Sequence, residues 1–240
     1  MKEASLICAL LFISVLSNAQ KLEYAIHFNS GLFNYGGESA TRHSDLIYFD
    51  GSQAPNFTFN PYGKKSGFSY GAALHLQSQI RRNTILGLQI GYETTKSQVK
   101  ITQAYPPYSS YSAPNASGKT TLTNQYLTVH PAVGKRIFLN KIILNLTVGP
   151  EASLCLKSTE KGEAITNQGK HYTTHLELNQ PAIDWRARAT AQLIYRRMGL
   201  LIGYSYGFTN YFQMLAGTTP ASEIYSRFLR LGVSYQIGNT

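Results

Sequence analysis

The sequence predicts an all-β fold: an eight-stranded antiparallel transmembrane β-barrel with four long outer loops and three short periplasmic turns, after a cleaved signal peptide. Three observations point there. The first is strict alternation from Ile142 to Leu156. Even positions carry Ile142, Leu144, Leu146, Val148, Pro150, Ala152, Leu154 and Leu156, and odd positions carry Ile143, Asn145, Thr147, Gly149, Glu151, Ser153 and Cys155. Period two makes a strand with one apolar and one wet face, long enough to exceed the about 9–11 residues that cross a bilayer at a tilt. The second is the wiring: connections alternate long and short, as in barrels with long outer loops and short periplasmic turns. The third is composition, 43% hydrophobic and only 14% charged, against about 25% charged in soluble domains.

The N-terminus reads as a secretory signal, residues 1–19, with Lys2, an apolar run Leu6–Leu16 and the small-x-small site Ser17-Asn18-Ala19. The mature domain is then 20–240. Cys8 leaves with the signal, so Cys155 has no partner for an intramolecular disulfide. It reads as a small packed side chain on the wet face.

The first strand, Leu22–Phe33, turns Tyr24, Ile26, Phe28 and Leu32 outward and Glu23, Ala25, His27, Asn29 and Gly31 inward. The polar stretch Asn34–Ser66 follows as a loop. Gly67–Ile80 is the second strand, Arg81–Asn83 a turn and Thr84–Ile101 the third, with Leu86, Leu88, Ile90 and Tyr92 outward. After the loop Thr102–Lys119 come Tyr126–Ile137, the turn Phe138–Lys141 and Ile142–Leu156. The loop Lys157–Gln180 leads to Pro181–Tyr195, whose outward Trp185 and alanines oppose inward Asp184, Arg186 and Arg188. The turn Arg196–Gly199, a strand through Phe208, the loop Asn210–Ile224 and the closing strand Tyr225–Ile237 complete the ring. A soluble lipocalin-like barrel would reverse the two faces, with charge outside.

Inward glycines (Gly31, Gly71, Gly87, Gly91, Gly134, Gly149, Gly203, Gly207, Gly232) leave room for large polar neighbours, because the interior of an eight-stranded barrel is just wide enough to be filled by side chains. Those neighbours are Glu23, Glu93, Glu151 and Asp184 beside Arg186, Arg188, Arg230, His27, His75 and His130, which must pair inside. This set reads as a polar plug. No catalytic, cofactor-binding or metal-ligating residue is assigned and no cofactor is expected. The alternative is a lipid-modifying hydrolase using lumen or rim histidines, which needs base, carboxylate and serine in contact. His171 and His175 lie four apart in a loop and make a poor zinc pair.

The net charge of +10 is spread along the chain, which speaks for anionic lipid rather than nucleic acid. Arg81, Arg82, Lys135, Arg136, Lys141, Arg196 and Arg197 at the turns are expected to snorkel to inner-leaflet phosphates. Lys64 and Lys65, near the other rim, are candidates to meet lipopolysaccharide phosphates.

Tyr126-Leu127-Thr128-Val129-His130-Pro131 leading to Gly134-Lys135, Val148-Gly149-Pro150, Asp184, and Tyr204-Ser205-Tyr206-Gly207-Phe208 occur in that order. On these residues the chain resembles the PorT-like outer-membrane β-barrel family of the Bacteroidota. His130 stands where that family has a hydrophobic residue. Arg230–Ile237 also looks like the last-strand signal read by barrel-assembly machinery, with Ile237 in place of the terminal aromatic. The resemblance implies an eight-stranded barrel in the outer membrane of a Gram-negative bacterium, and for some relatives assistance to secretion or gliding machinery. The expected role is structural or interactive and non-enzymatic. It is exercised by a monomer through its outer loops, on a protein partner, with lipid as the surround and no nucleic acid. Transport ranks last, because so narrow a lumen leaves little pore.

Overall fold

The computed structural model describes residues 22–49, 54–107, 114–211 and 223–237; the expected signal segment and its cleavage site lie outside them. The described strands are β1 (Leu22–Gly36), β2 (His43–Ile47), β3 (Phe57–Thr58), β4 (Lys65–Gln79), β5 (Thr84–Tyr105) and β6 (Asn115–Leu139), then β7 (Ile142–Thr166), β8 (His171–Glu177), β9 (Ile183–Tyr195), β10 (Met198–Gly207) and β11 (Tyr225–Gln236).

Eight of these form a closed ring. The order runs β1, β4, β5, β6, β7, β9, β10, β11 and back to β1, with every neighbouring pair antiparallel. Closure leaves no ring strand with an unpaired edge, which is what a β-structure in hydrocarbon requires. Three tight connections lie at one end. Arg82, Asn83, Asn140 and Arg196 supply the left-handed backbone there, at φ of 58°, 60°, 55° and 56°, the conformation that twist-matched hairpin turns demand.

The faces are inverted relative to a soluble protein. Leu200 is 65% exposed and Leu74 62%, whereas Arg230 and Glu151 are 0%. In water that arrangement forfeits the hydrophobic gain and buries charge; in lipid it does neither. The exposed belt includes Phe28, Ile90, Val148, Trp185, Ile202 and Leu231, so the ring spans a membrane through its strands.

The expectation of structureless outer loops is corrected. β5 is 22 residues long, and β6 and β7 are 25 each. At about 3.3 Å per residue these reach roughly 70–80 Å, far beyond a hydrocarbon layer of about 30 Å even when tilted. The three strands therefore rise clear of the membrane as a blade. Where β4 has ended, β2 takes its place beside β5, in parallel register from His43↔Lys100 to Ile47↔Tyr105. β3 adds to β2, and β8 folds back onto β7. Leu46, Tyr48, Val99, Ile101, Ala104 and Ala164 form a core under this blade, and Tyr48 stacks on Tyr172 at 4.0 Å. Alternation persists through the blade, but its meaning reverses. In water Val99 and Ile101 point in, while Lys96, Gln98 and Lys100 point out.

A bulge marks the changeover on β7. Gln125 pairs with Lys157 and Tyr126 with Cys155, leaving Leu156 as the extra residue. Below it the inward residues are Glu151 and Ser153; above it they are Ser158 and Glu160. Cys155 is consequently half-buried at the step rather than squarely on the wet face. Bulges re-aim side chains in this way.

Candidate functional site

The lumen is filled in layers, and parity along each strand decides what fills it. The central layer gathers inward residues of β5, β7, β9, β10 and β11. Glu151 Oε1 accepts hydrogen bonds from Arg186 Nη1 at 3.1 Å and Arg230 Nη2 at 2.9 Å, and its Oε2 accepts from Arg188 Nη1 at 3.4 Å. Arg230 also holds Glu93, and Arg186 Nε donates to Asp184 Oδ2 at 2.7 Å. Ser205 Oγ is bonded by Arg230 Nη1. Three carboxylates thus face three guanidiniums with no net charge, the condition under which buried ions are tolerated. Of the seven carboxylates and guanidiniums grouped from the sequence as inward, six meet here and Glu23 does not.

Nearer the turns lies a second, separate pair. Arg136 is buried, with Nη1 and Nη2 each donating to Glu23 at 2.6 Å and Nε donating to Asn145 Oδ1 at 3.0 Å. The expectation that Arg136 snorkels to lipid is overturned. It continues the inward series Ala132, Gly134 of β6, so proximity to a turn misled where parity would not have. Lys135 remains exposed, with Nζ donating to the Arg82 carbonyl at 3.1 Å.

Above the ionic layer sits an aromatic lid that was not among the expectations. Phe33, Tyr35, Tyr126, Tyr211 and Phe228 are buried together with Tyr62, Leu122 and Ile224. Tyr126 and Tyr211 share a hydrogen bond of 3.0 Å between hydroxyls. The guanidinium carbon of Arg230 lies 4.1 Å from the Phe228 ring centre and that of Arg186 5.0 Å from Tyr126. The aromatic faces therefore cover the cations below them. The signal available was again parity: Phe33 and Tyr35 extend the inward series of β1.

The histidines lie between the two ionic layers. His27 and His75 pack with ring centres 4.7 Å apart, and His130 Nδ1 donates to the Pro150 carbonyl at 2.9 Å. Among the described residues no serine hydroxyl is hydrogen-bonded to any of the three. Both His27 and His130 are buried, without the base–nucleophile contact that hydrolysis requires. His171 and His175 both sit exposed on β8, where four residues along a strand separate them by about 13 Å, too far for one metal ion. Among the described residues no cluster of His, Cys, Asp or Glu is arranged to hold one.

In the blade, Glu160 faces inward and its Oε1 accepts from the Thr58 amide at 2.8 Å. Burial pushes its carboxyl above the ordinary range, moderated by the Thr58 and Thr174 bonds. At the surface Lys157 Nζ lies 2.5 Å from Glu177, a bond that lowers the exposed Glu177 carboxyl.

No protein-family model matches the chain, and no curated protein matches its sequence. Among solved structures it is similar to the Neisserial surface protein A, at 10% identity and a TM-score of 0.39, over 90% of this chain and 99% of that one. The outer membrane protease OmpT of Escherichia coli gives 11% identity and a TM-score of 0.43, over 90% and 97%. Ail of Yersinia pestis gives 11% and 0.35, over 91% and 100%. The architecture is read from the chain's own pairing and belt: a ring of eight strands, lipid-facing outside, polar within, short turns at one end and long extensions at the other. That is the construction of an outer-membrane β-barrel.

Proposed function

We propose that this protein is a plugged outer-membrane barrel whose task is to anchor the blade β2–β3–β5–β6–β7–β8 for contact with a protein partner. The observation that carries the reading is the doubly sealed lumen, ionic below and aromatic above. Nothing enters such a lumen, so the surface left for function is outside the membrane. Chemical crosslinking in whole cells followed by pull-down tests it. A partner should be captured by the wild type and lost when the extensions 97–123 and 159–177 are shortened to membrane height. Capture unchanged by that shortening would overturn the reading.

The lumen is expected to conduct little, and the histidines to do no chemistry. Planar bilayers should give no large steady current. Single substitutions His27→Ala, His75→Ala and His130→Ala should leave the cell's lipid A profile unchanged; an altered profile would favour the lipid-hydrolase alternative. The narrower form of the proposal, assistance to secretion or gliding machinery, is supported by the PorT-like resemblance of the strand motifs. A deletion strain with normal secretion and motility would remove that narrower form and leave the anchoring role standing.

A further inference from the structure

The outward face of the blade carries its positive charge in a regular pattern. On β6, Lys119, Thr121 and Thr123 point outward in successive rows. Lys96 of β5 pairs with Thr123, Lys161 of β7 with Thr121, and Lys100 of β5 with Lys119. Every row of this series therefore holds a lysine, and the lysines change from one side of β6 to the other. Rows of like-facing residues repeat about every 7 Å, so the series runs about 14 Å along the strands.

These side chains bound a groove of about 590 Å³, with Lys96, Lys119 and Lys161 as walls and Thr121 and Thr123 as a hydroxyl-bearing floor. The Lys96 ammonium lies 5.9 Å from the Tyr70 ring centre, a contact that steadies it. Among the described residues Glu163 is the one carboxylate in the lining, 3.9 Å from Lys119 and, like it, well exposed. A pair so exposed is weak. Three ammoniums against one carboxylate leave two positive charges unmatched beside hydroxyl donors, the chemistry that receives sulfate or phosphate esters.

Position and lining decide which anion fits. Lys96, Lys161 and Lys119 stand two, three and four rows beyond the lipid-facing row Tyr92–Leu127–Leu154, about 14 to 28 Å along the strands. No residue of the lipid-facing belt lines the groove, so its ligand arrives from water. Among the described residues the lining contains no Phe, Tyr, Trp, Leu, Ile, Val or Met. A protein interface is built on an apolar, aromatic-rich core depleted in lysine, and a single-stranded nucleic acid stacks its bases on aromatic rings. Neither finds its footing here. A neutral sugar would leave the ammoniums without counter-charge. An extended, hydroxyl-rich chain with anionic groups at intervals uses both walls and floor.

We propose that this groove binds an anionic polysaccharide, its sulfate or phosphate esters held by Lys96, Lys161 and Lys119 and its hydroxyls lying over Thr121 and Thr123. This is a second task for the blade, beyond the protein contact proposed above, and it is separate from the Lys64–Lys65 rim contact read from the sequence.

The test uses the full folded chain in phosphatidylcholine nanodiscs, which present no net charge, and a fluorescent dextran sulfate oligosaccharide whose binding is read by anisotropy. Wild type should bind it and should not bind neutral dextran of the same length. The triple substitution Lys96→Gln, Lys119→Gln, Lys161→Gln should weaken binding about a hundred-fold, the loss of three charge-assisted contacts in a groove open to solvent. Thr121→Glu, which sets a carboxylate in the floor, should weaken it in the same direction. Removing equal charge at the turns, by Lys135→Gln, Lys141→Gln and Arg197→Gln together, should change little. Heat-modifiable gel mobility confirms that all variants are folded. Unchanged binding by the groove variants, or equal weakening by the turn variant, overturns the proposal, the second outcome in favour of attraction to net charge alone. Equal affinity for glucose 6-sulfate reduces the site to a single-anion contact and also overturns it, as does a DNA duplex of equal charge bound as tightly as the sulfated chain. Partner capture does not enter the readout, so this proposal and the protein-contact reading fail separately.

Discussion

Arg230 grips Glu93 across the lumen, Nε to Oε1 at 2.7 Å and Nη2 to Oε2 at 2.8 Å, joining the last strand of the ring to β5, three steps around it. Both residues are buried, and the same guanidinium also reaches Glu151. The pair is a cross-brace between strands that are not neighbours in the sheet.

Removing one end of that brace leaves an unmatched buried charge. We predict that Glu93→Gln destabilises the barrel by about 3–5 kcal/mol, the scale for breaking a buried pair from one side. The double variant Glu93→Gln, Arg230→Gln returns the layer to two carboxylates and two guanidiniums and should recover part of the loss. Urea unfolding of the refolded barrel, followed by gel mobility, measures both. A double variant less stable than the single would show that charge balance is not what holds the layer.

The seam between β1 and β11 offers a steric check. Gly31 lies opposite Arg230, and a Cβ there would run into the Leu229 carbonyl and the Phe228 ring. Gly31→Val should cost about 1–3 kcal/mol by overpacking, whereas Ser30→Val, one residue away on the outer face, should cost little. Equal effects in the same unfolding assay would place the lumen wall elsewhere.

Glu160 gives the blade a pH dependence. Its carboxyl is raised by burial, so the folded blade holds the proton to higher pH than the unfolded chain does. The resulting stability is fully present below the ordinary carboxylate value and is lost as pH rises through the folded one. We predict that amide exchange at Thr58 is slower at pH 4 than at pH 7 after correction for intrinsic rate. Glu160→Gln should abolish the difference while keeping the bond from the Thr58 amide. Faster corrected exchange in acid would reverse the sign and refute the assignment.

Trp185 tests the inversion of the faces. It is 53% exposed, on the outward side of β9 between buried Asp184 and Arg186. Its indole belongs to the outer aromatic girdle with Tyr70, Tyr92 and Phe208, while Tyr24, Tyr195 and Tyr235 line the turn side. In vesicles of lipid brominated near the headgroup, its emission should be strongly quenched. Emission equal to that in unbrominated vesicles, with bound and folded protein, would sink the membrane reading.

Alternation made the barrel legible: the apolar series from Ile142 to Leu156 and the inward glycines describe one wall seen from its two sides. All eight ring strands and three turns appear in the expected order, with β6 and β7 running well past their expected outer ends. The blade was hidden because its outward face is lysine and threonine, which resembles a loop to any reading that seeks apolar positions facing lipid. β2, β3 and β8 are short, and their pairing depends on partners far away in the chain. The ionic residues were identifiable one by one, since each keeps the parity of its strand. Their mutual geometry was not, because which inward residues share a height follows from stagger between strands, and the bulge at Leu156 alters that stagger.

The ring has a timing consequence. β1 pairs with β11 from Ala25↔Gln236 to Gly36↔Tyr225, so the first strand waits for the last before the sheet can shut. β4 through β10 can zip together as successive neighbours, but the two terminal strands keep a row of unsatisfied amides until the chain is complete. In hydrocarbon each such group costs several kcal/mol, and pairing across so long a stretch of chain is slow. An unfinished barrel of this kind therefore has to complete its sheet before insertion or have its two open edges held by another β-edge while it inserts.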